Sequence, residues 1–316
     1  MPTLKKIADV AGCSMSTVSR ALNNCLDVSE KTRERILQIA KELGYFQRKK
    51  HIKRENRKKN EFNIAILCPE LESIYYSRMI IDISRELSRY DSEAIIHNYS
   101  FDNDKLRELL DACHNDNNTD AIICLDTIAN IPLFDDMPII CFRSESPCSS
   151  FFYDISAGMN DVFKSLNEND TIYIVCEDKS VSQEIEFLKV ARNYSSINSK
   201  RFFSSKRFES AGCEAGEYFI KNDILPKAII CAYDEIALGL IETLKNNGIK
   251  IPEQVSVIGI NDIPTAKYCF GGLTTIAYDF KSVVSKMIRD LIDNLKASQC
   301  KAYNYIVPSR LIKRNT

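Results

Sequence analysis

From Thr3 to Asn24 the apolar positions fall at helical spacing in two short runs separated by a glycine. In TLKKIADVAGCSMSTVSRALNN, Leu4, Ile7, Ala8 and Ala11 lie at i, i+3, i+4 and i+7, and Thr3 stands where a helix N-cap belongs. Gly12 is placed to end that helix, and Ser14 to cap a second whose Val18, Ala21 and Leu22 face the first. Met15, Ser16, Thr17, Ser19 and Arg20 are left on the outer side. The spacing predicts a helix-turn-helix. A third helix follows, capped by Ser29, with Ile36, Leu37, Ala40 and Leu43 as its buried face and Gly44 at its left-handed C-terminal position. A small three-helix bundle with no nucleic-acid role would show the same pattern. The outer face of the second helix favours DNA: arginine makes bidentate bonds to guanine, and the neighbours of Arg20 carry hydroxyls suited to phosphates rather than acids.

Beyond Phe62 the period changes. FNIAILC, EAIIHN, DAIICL, MPIICF, TIYIVC, KAIICA and VSVIGI are continuous apolar runs that predict strands buried on both faces. Between them lie amphipathic stretches such as SRMIIDISRELSRY and DEIALGLIETLKNNG. This alternation is the α/β signature of parallel sheets flanked by helices, with ligands expected at the carboxyl ends of strands. The 316 residues give room for a small domain and a larger one of two lobes.

Charge sharpens the division. The whole chain is near neutral at −1, but residues 1–60 hold fifteen Lys and Arg against six acids, a net +9 that leaves −10 for the rest. A basic arm on an acidic body is the footprint of a polyanion partner, because each phosphate neutralised adds salt-dependent affinity. The extreme segment is FQRKKHIKRENRKKN, residues 46–60, with eight cations and one acid. A solvated tether and a backbone contact ordered only on DNA are both open for it. Twelve cysteines include no C-x-x-C pair, and Cys68, Cys124, Cys141, Cys176 and Cys231 sit in or beside apolar runs as small hydrophobes. No secretory signal or membrane-spanning run is evident, so a reduced cytoplasmic setting is expected.

The N-terminal TLKKIADVAGCSMSTVSRALNN and VSEKTRERILQIAKELGY resemble the DNA-binding headpiece of the lactose-repressor (LacI/GalR) family of bacterial regulators. ICAYDEIALGLIETLKNNGIKIPEQVSVIGINDIP, LTTIAYDF and the terminal VPSRLIKR resemble the same family's core, whereas residues 63–225 are similar only in their order of elements. The resemblance implies a headpiece at 1–46, a hinge at 47–61 and a periplasmic-binding-protein-like core at 62–316. It implies an N-lobe at 62–157 and 279–301, a C-lobe at 158–278 and 302–316, a small-molecule effector between the lobes, and a homodimer on double-stranded operator DNA. Position by position, Met15, Ser16 and Arg20 would read bases, while Thr3, Ser14, Thr17, Ser19, Asn23 and Tyr45 would touch phosphates.

Two departures stand out. Lys6 occupies the place of the family's usual acid three residues after Thr3, so the capping box is lost. The hinge lacks the family's Ala and Leu, whose places fall at His51 and Arg54; Arg48, Lys49 and Arg54 are instead suited to a narrow minor groove.

The family's sugar contacts are also changed. Gln183, four residues before Phe187, replaces an arginine, Arg143 an aspartate, Tyr233 an asparagine and Asn261 an acid. Tyr75, Tyr76, Tyr233 and Phe280 would offer aromatic faces, with Gln183, Arg143 and Asn261 as polar partners and Asp234 beside them. Plainer roles compete: Asp234 as the N-cap of its helix, Phe280 as packing at a crossover, Tyr75 and Tyr76 as a staple, Arg143 in a pair with Glu145 or Asp154. If Arg143 faces the ligand, a carbohydrate gives way to a phosphorylated or anionic metabolite.

The function expected is a DNA-binding regulator, a repressor, controlled by a small molecule. The alternative is a regulator whose core no longer binds a sugar and answers a protein partner or another ligand. An enzyme is not expected: no Gly-rich phosphate loop, H-E-x-x-H, G-x-S-x-G or metal-spaced Cys/His set occurs, and His51, His97 and His114 are scattered. No cofactor, metal or membrane partner is expected.

Overall fold

The computed structural model describes residues 3–22, 28–43, 61–116, 118–127, 134, 136–142, 148–178, 181–194 and 196–316, with the backbone alone for Glu30, Lys41 and 181–185. The first three helices are α1 (Leu4–Ala11), α2 (Met15–Leu22) and α3 (Glu30–Glu42). Local chemistry sets their ends. The Thr3 hydroxyl accepts from the Lys6 amide at 3.2 Å, and Gly12 adopts φ 64° while its own amide bonds back to Ala8. Lys6 sends no carboxylate back, so this cap is one-sided. Ser29 opens α3 through the Thr32 amide at 3.4 Å.

Ile7, Ala8, Ala11, Val18, Ala21, Val28, Ile36, Ile39 and Ala40 form one buried cluster among these helices. Leu37 is not in it; at 38 % exposure it corrects the expected α3 face, and Ile39 takes its place. The reason is angular, since Leu37 lies a quarter-turn or more from the centre of the 36, 39, 40, 43 stripe. Gly44 lies outside the described residues.

Contacts divide the chain into two units: residues 1–71, 80–149 and 288–303, and residues 72–79, 150–287 and 304–316. The first holds β1 (Asn63–Cys68), most of α4 (Ile74–Ser88), β2 (Glu93–Asn98), α5 (Asn103–Asn115), β3 (Ala121–Thr127) and β4 (Ile139–Phe142). Its strands run in the order β2-β1-β3-β4, all parallel. β2 is an edge strand with exposed and half-buried positions only, which corrects the expectation that EAIIHN is buried on both faces.

The second unit holds β5 (Ser149–Asp154), α6 (Ser156–Phe163), β6 (Thr171–Glu177), α7 (Val181–Ala191), β7 (Asn198–Ser204), α8 (Phe208–Lys221), β8 (Ala228–Cys231), α9 (Asp234–Asn246), β9 (Ser256–Ile260), β10 (Thr274–Tyr278) and β11 (Asn304–Ile312). Helix α10 (Phe280–Ala297) starts in this unit and ends in the first. The strand order is β5-β11-β10-β9-β8-β6-β7, parallel except for the β10/β11 pair. Ile172, Ile174, Ile229, Ile230, Val257 and Ile258 from β6, β8 and β9 fill its core. Among the described residues no helix is long and apolar enough to cross a membrane.

Helices α8 and α9 meet backbone to backbone. A Cβ at Gly239 would collide with the Glu209 carbonyl, and one at Gly212 with the Ile236 carbonyl. Backbone cannot swing aside as a long side chain can, so Gly239→Ala must part the helices. It is expected to cost about 3 kcal/mol, the upper end of overpacking penalties. Chemical unfolding followed by circular dichroism checks this, and a loss under about 0.5 kcal/mol would refute so tight an approach.

Candidate functional site

The exposed face of α2 is organised by one hydroxyl. The Ser14 Oγ accepts from the Thr17 amide at 3.1 Å and lies 2.7 Å from the Ser16 Oγ and 2.8 Å from the Thr17 Oγ1. Three hydroxyls are thereby gathered at the N-terminal end of α2, where the positive end of the helix dipole also favours phosphate. Val18 and Ala21 anchor the opposite face in the cluster with α1 and α3. Met15 is 55 % exposed, Ser14, Ser16 and Arg20 are exposed, and Thr17 and Ser19 are half-buried. Thr3 is exposed at the start of α1. Asn23, Tyr45, Arg48, Lys49 and Arg54, with the rest of the 46–60 linker, lie outside the described residues.

A second concentration of side chains lies in the second unit. Tyr153 of β5 is its hub: its ring centroid is 4.5 Å from Tyr278, 5.8 Å from Tyr75 and 6.2 Å from Phe280. Tyr75 and Tyr76 meet edge to face at 5.0 Å, and Phe151 meets Phe280 at 6.0 Å. Phe280 and Tyr153 are buried, which favours the packing role for Phe280, while Tyr75, Tyr76 and Tyr278 are half-buried and keep some ring surface exposed. Tyr153 and Tyr278 are absent from the residues anticipated from sequence. Their signal was the FFYD and AYDF runs, which announce aromatic side chains but not that β5 and β10 bring them together.

Tyr233 is turned inward. Its hydroxyl accepts from the Phe208 amide and donates to the Glu177 carboxylate, both at 3.2 Å. Burial, with the negative Glu177 beside it, pushes the phenol well above its ordinary range. Arg207 lies 3.8 Å from Glu177 and 4.6 Å from the Phe208 ring, completing a partly buried charge cluster.

Asp234 departs from its expected capping role. Tyr233 holds the N-cap position without a side-chain bond, and Asp234 is the first helical residue, with no exposed surface. Its carboxyl oxygens accept from the Thr275 hydroxyl at 2.6 Å and the Ile263 amide at 2.8 Å. It thus ties α9 to β10 and to the segment after β9. Burial pushes its pKa up to about 8, against the lowering effect of those two bonds, and neighbouring Glu235 and Asp262 push the same way.

Asn261 follows β9 with φ 98°, and its amide donates to the Ile276 carbonyl at 2.9 Å. The adjoining Asp262 pairs with Arg314 at 2.6 Å, while its carbonyl accepts from Arg78 at 3.2 Å. Arg143 and the side chain of Gln183 lie outside the described residues. Asp154 caps the Ser156 amide at 2.9 Å. Among the described residues no group of three or more His, Cys, Asp or Glu is placed to hold a metal.

Residues 3–47 match the model of bacterial regulatory proteins of the lacI family, and residues 171–316 match that of the periplasmic binding protein-like domain. The HTH-type transcriptional regulator RegA of Clostridium saccharobutylicum is 25 % identical over 333 residues, covering 99 % of this chain and 98 % of its own. The HTH-type transcriptional regulator GalR of Streptococcus thermophilus is 29 % identical over 295 residues, covering 87 % of each. Among solved structures, a lac repressor dimer bound to operator and the anti-inducer ONPF matches with a TM-score of 0.70 at 20 % identity, over 100 % of this chain and 98 % of that one.

Proposed function

We propose that this chain, a DNA-binding transcriptional regulator of the lacI family, is a homodimeric repressor of a near-palindromic operator, released or engaged by a small molecule bound in its core. The headpiece is residues 1–46, the linker 47–61 and the core 62–316. Met15, Ser16 and Arg20 read base edges in the major groove, and Thr3, Ser14, Thr17, Ser19, Asn23 and Tyr45 hold phosphates. The observation that carries this reading is the hydroxyl cluster built by Ser14 on the exposed face of α2, beside Arg20 and opposite the anchored Val18 and Ala21. Footprinting on a promoter that binds the chain tests it. Two protected half-sites about one helical turn apart are expected, because a symmetric dimer presents two recognition helices.

The linker sets affinity rather than sequence choice. Lys49, Lys50, Lys53 and Arg54 bear charge without the apolar wedge that opens a base step, so they act on phosphates or in a narrow minor groove with Arg48. Each phosphate neutralised contributes about −0.9 to the slope of log affinity against log salt. Replacing these four by Gln is expected to flatten that slope while the specific-to-random ratio holds. A collapse of that ratio at unchanged slope would mean the segment reads bases.

For the effector, we place Tyr75 and Tyr76 as ring platforms, with Asn261, Arg143 and Gln183 as polar partners. Tyr233, Asp234 and Phe280 take supporting roles, since their polar atoms or rings are engaged internally. The family's charged fork is replaced by Gln183, so an aromatic or anionic metabolite fits better than a neutral glycoside. A ligand raises the melting temperature by mass action, which a thermal-shift screen reads directly. A sugar phosphate whose shift disappears in Arg143→Ala is the expected hit. Micromolar binding of a plain disaccharide, abolished by Gln183→Ala, would overturn this ligand class, and silence across a broad metabolite screen would point to a protein partner.

A further inference from the structure

The first unit contains a pair of thiols that the regulatory reading does not use. Cys141 is the last residue but one of β4 and is fully buried; Cys148, one residue before β5, is half-buried. The Cys148 thiol donates to the Cys141 sulfur at 3.8 Å. Side-chain rotation has to close less than about 2 Å to reach a disulfide bond length of about 2.05 Å. Cys148 also lines a cavity with Cys300, Lys301, Phe134 and Met137, a route by which a small oxidant reaches its sulfur. The sulfur's surroundings are anchored: the Ser149 hydroxyl accepts from the Tyr303 amide at 3.1 Å and donates to the Lys301 carbonyl at 3.5 Å.

Other nearby cysteines fit less well. Cys124 is the register partner of Cys141 on β3 but is fully buried, and the Cys68 thiol is spent on the Glu70 carbonyl at 2.7 Å. We infer that Cys141 and Cys148 are a modification site, closing to a reversible disulfide when a hydroperoxide reaches Cys148.

The chemistry balances in two steps. The Cys148 thiol gives up its proton and its sulfur takes the near peroxide oxygen as a sulfenic acid; the O–O bond breaks and the far oxygen takes up that proton, leaving as water or the corresponding alcohol. The Cys141 sulfur then attacks the sulfenic sulfur, forming S–S and expelling hydroxide, which takes the Cys141 proton and leaves as water. Two thiols lose two electrons and one peroxide gains them. The hydrogen bond from Cys148 and burial both push the Cys141 thiol well up, so Cys141 enters the second step as a thiol and gives up its proton there.

The test uses the full chain and hydrogen peroxide, with alkylation of remaining thiols, unfolding and peptide mapping. A cross-linked peptide joining Cys141 to Cys148, a loss of two hydrogens in mass and full reversal by dithiothreitol are expected. Cys300→Ser should leave the product unchanged, and Cys148→Ser should abolish it while Cys141 stays alkylatable after unfolding. A Cys148–Cys300 cross-link overturns the assignment. So does irreversible oxidation of Cys148 with Cys141 still a thiol, or the absence of any cross-link at peroxide levels that oxidise Cys148.

Discussion

Arg20→Ala is expected to weaken operator binding by roughly 2–6 kcal/mol, because a symmetric dimer loses one bidentate base contact of about 1–3 kcal/mol in each half-site. The residue sits on the exposed side of α2, and its helix is pinned by Val18 and Ala21, so removal leaves the headpiece cluster intact. Specific affinity should therefore fall far more than affinity for random duplex, with relaxed preference at one position per half-site. Gel-shift titration at fixed salt against operator and scrambled duplex checks both quantities. Equal losses on the two duplexes would make Arg20 a phosphate contact and shift base reading to Met15 and Ser16.

Asp234→Asn is expected to stabilise the core at and above neutral pH. The carboxyl's ordinary value is 3.8 and in the folded chain it rises to about 8. A group raised on folding gives stability that is fully present below its unfolded value and is lost as pH climbs through the folded one. The window is therefore about pH 4 to 8, with a slope near 1.4 kcal/mol per pH unit and a total on the order of 5 kcal/mol. Asparagine removes the titration and keeps both contacts, its oxygen accepting from the Ile263 amide as Asp234 does and its amide donating to the Thr275 oxygen, which reverses that bond. Urea unfolding between pH 5 and 8.5 should show the slope in the parent and its loss in the variant. Parallel slopes, or a variant less stable at pH 8, would mean that Asp234 is buried as a carboxylate.

The headpiece was legible because its determinants are local: a 3.6-residue period, a hydroxyl before each helix and Gly12 at a positive φ. β1, β3, β6, β8 and β9 were legible because strands covered on both faces read as unbroken apolar runs. The same criterion failed at the margins. β7 is an edge strand whose Lys200 and Arg201 break the run, and β11 alternates, with Tyr305 and Val307 buried and Ile306 54 % exposed. Pro308 falls where the pairing changes over, since residues 304–308 pair with β5 and residues 309–312 with β10, so the proline is not flanked by two strands. The candidate ligand site was legible only in part. An acid at the head of α9 suggests a cap, and nothing within reach in sequence reveals Thr275, 41 residues away, as its partner. The meeting of Tyr75, Tyr153, Tyr278 and Phe280 likewise depends on strand order, which periodicity does not encode.

Selection of duplexes from a randomised pool by the full chain, read by sequencing, tests the regulator reading most directly. The expected result is one enriched inverted repeat, its half-sites about one helical turn apart, with the enrichment lost in Arg20→Ala. Recovery of a pool no different from the input, or of a single half-site without its mate, would contradict sequence-specific binding by a symmetric dimer.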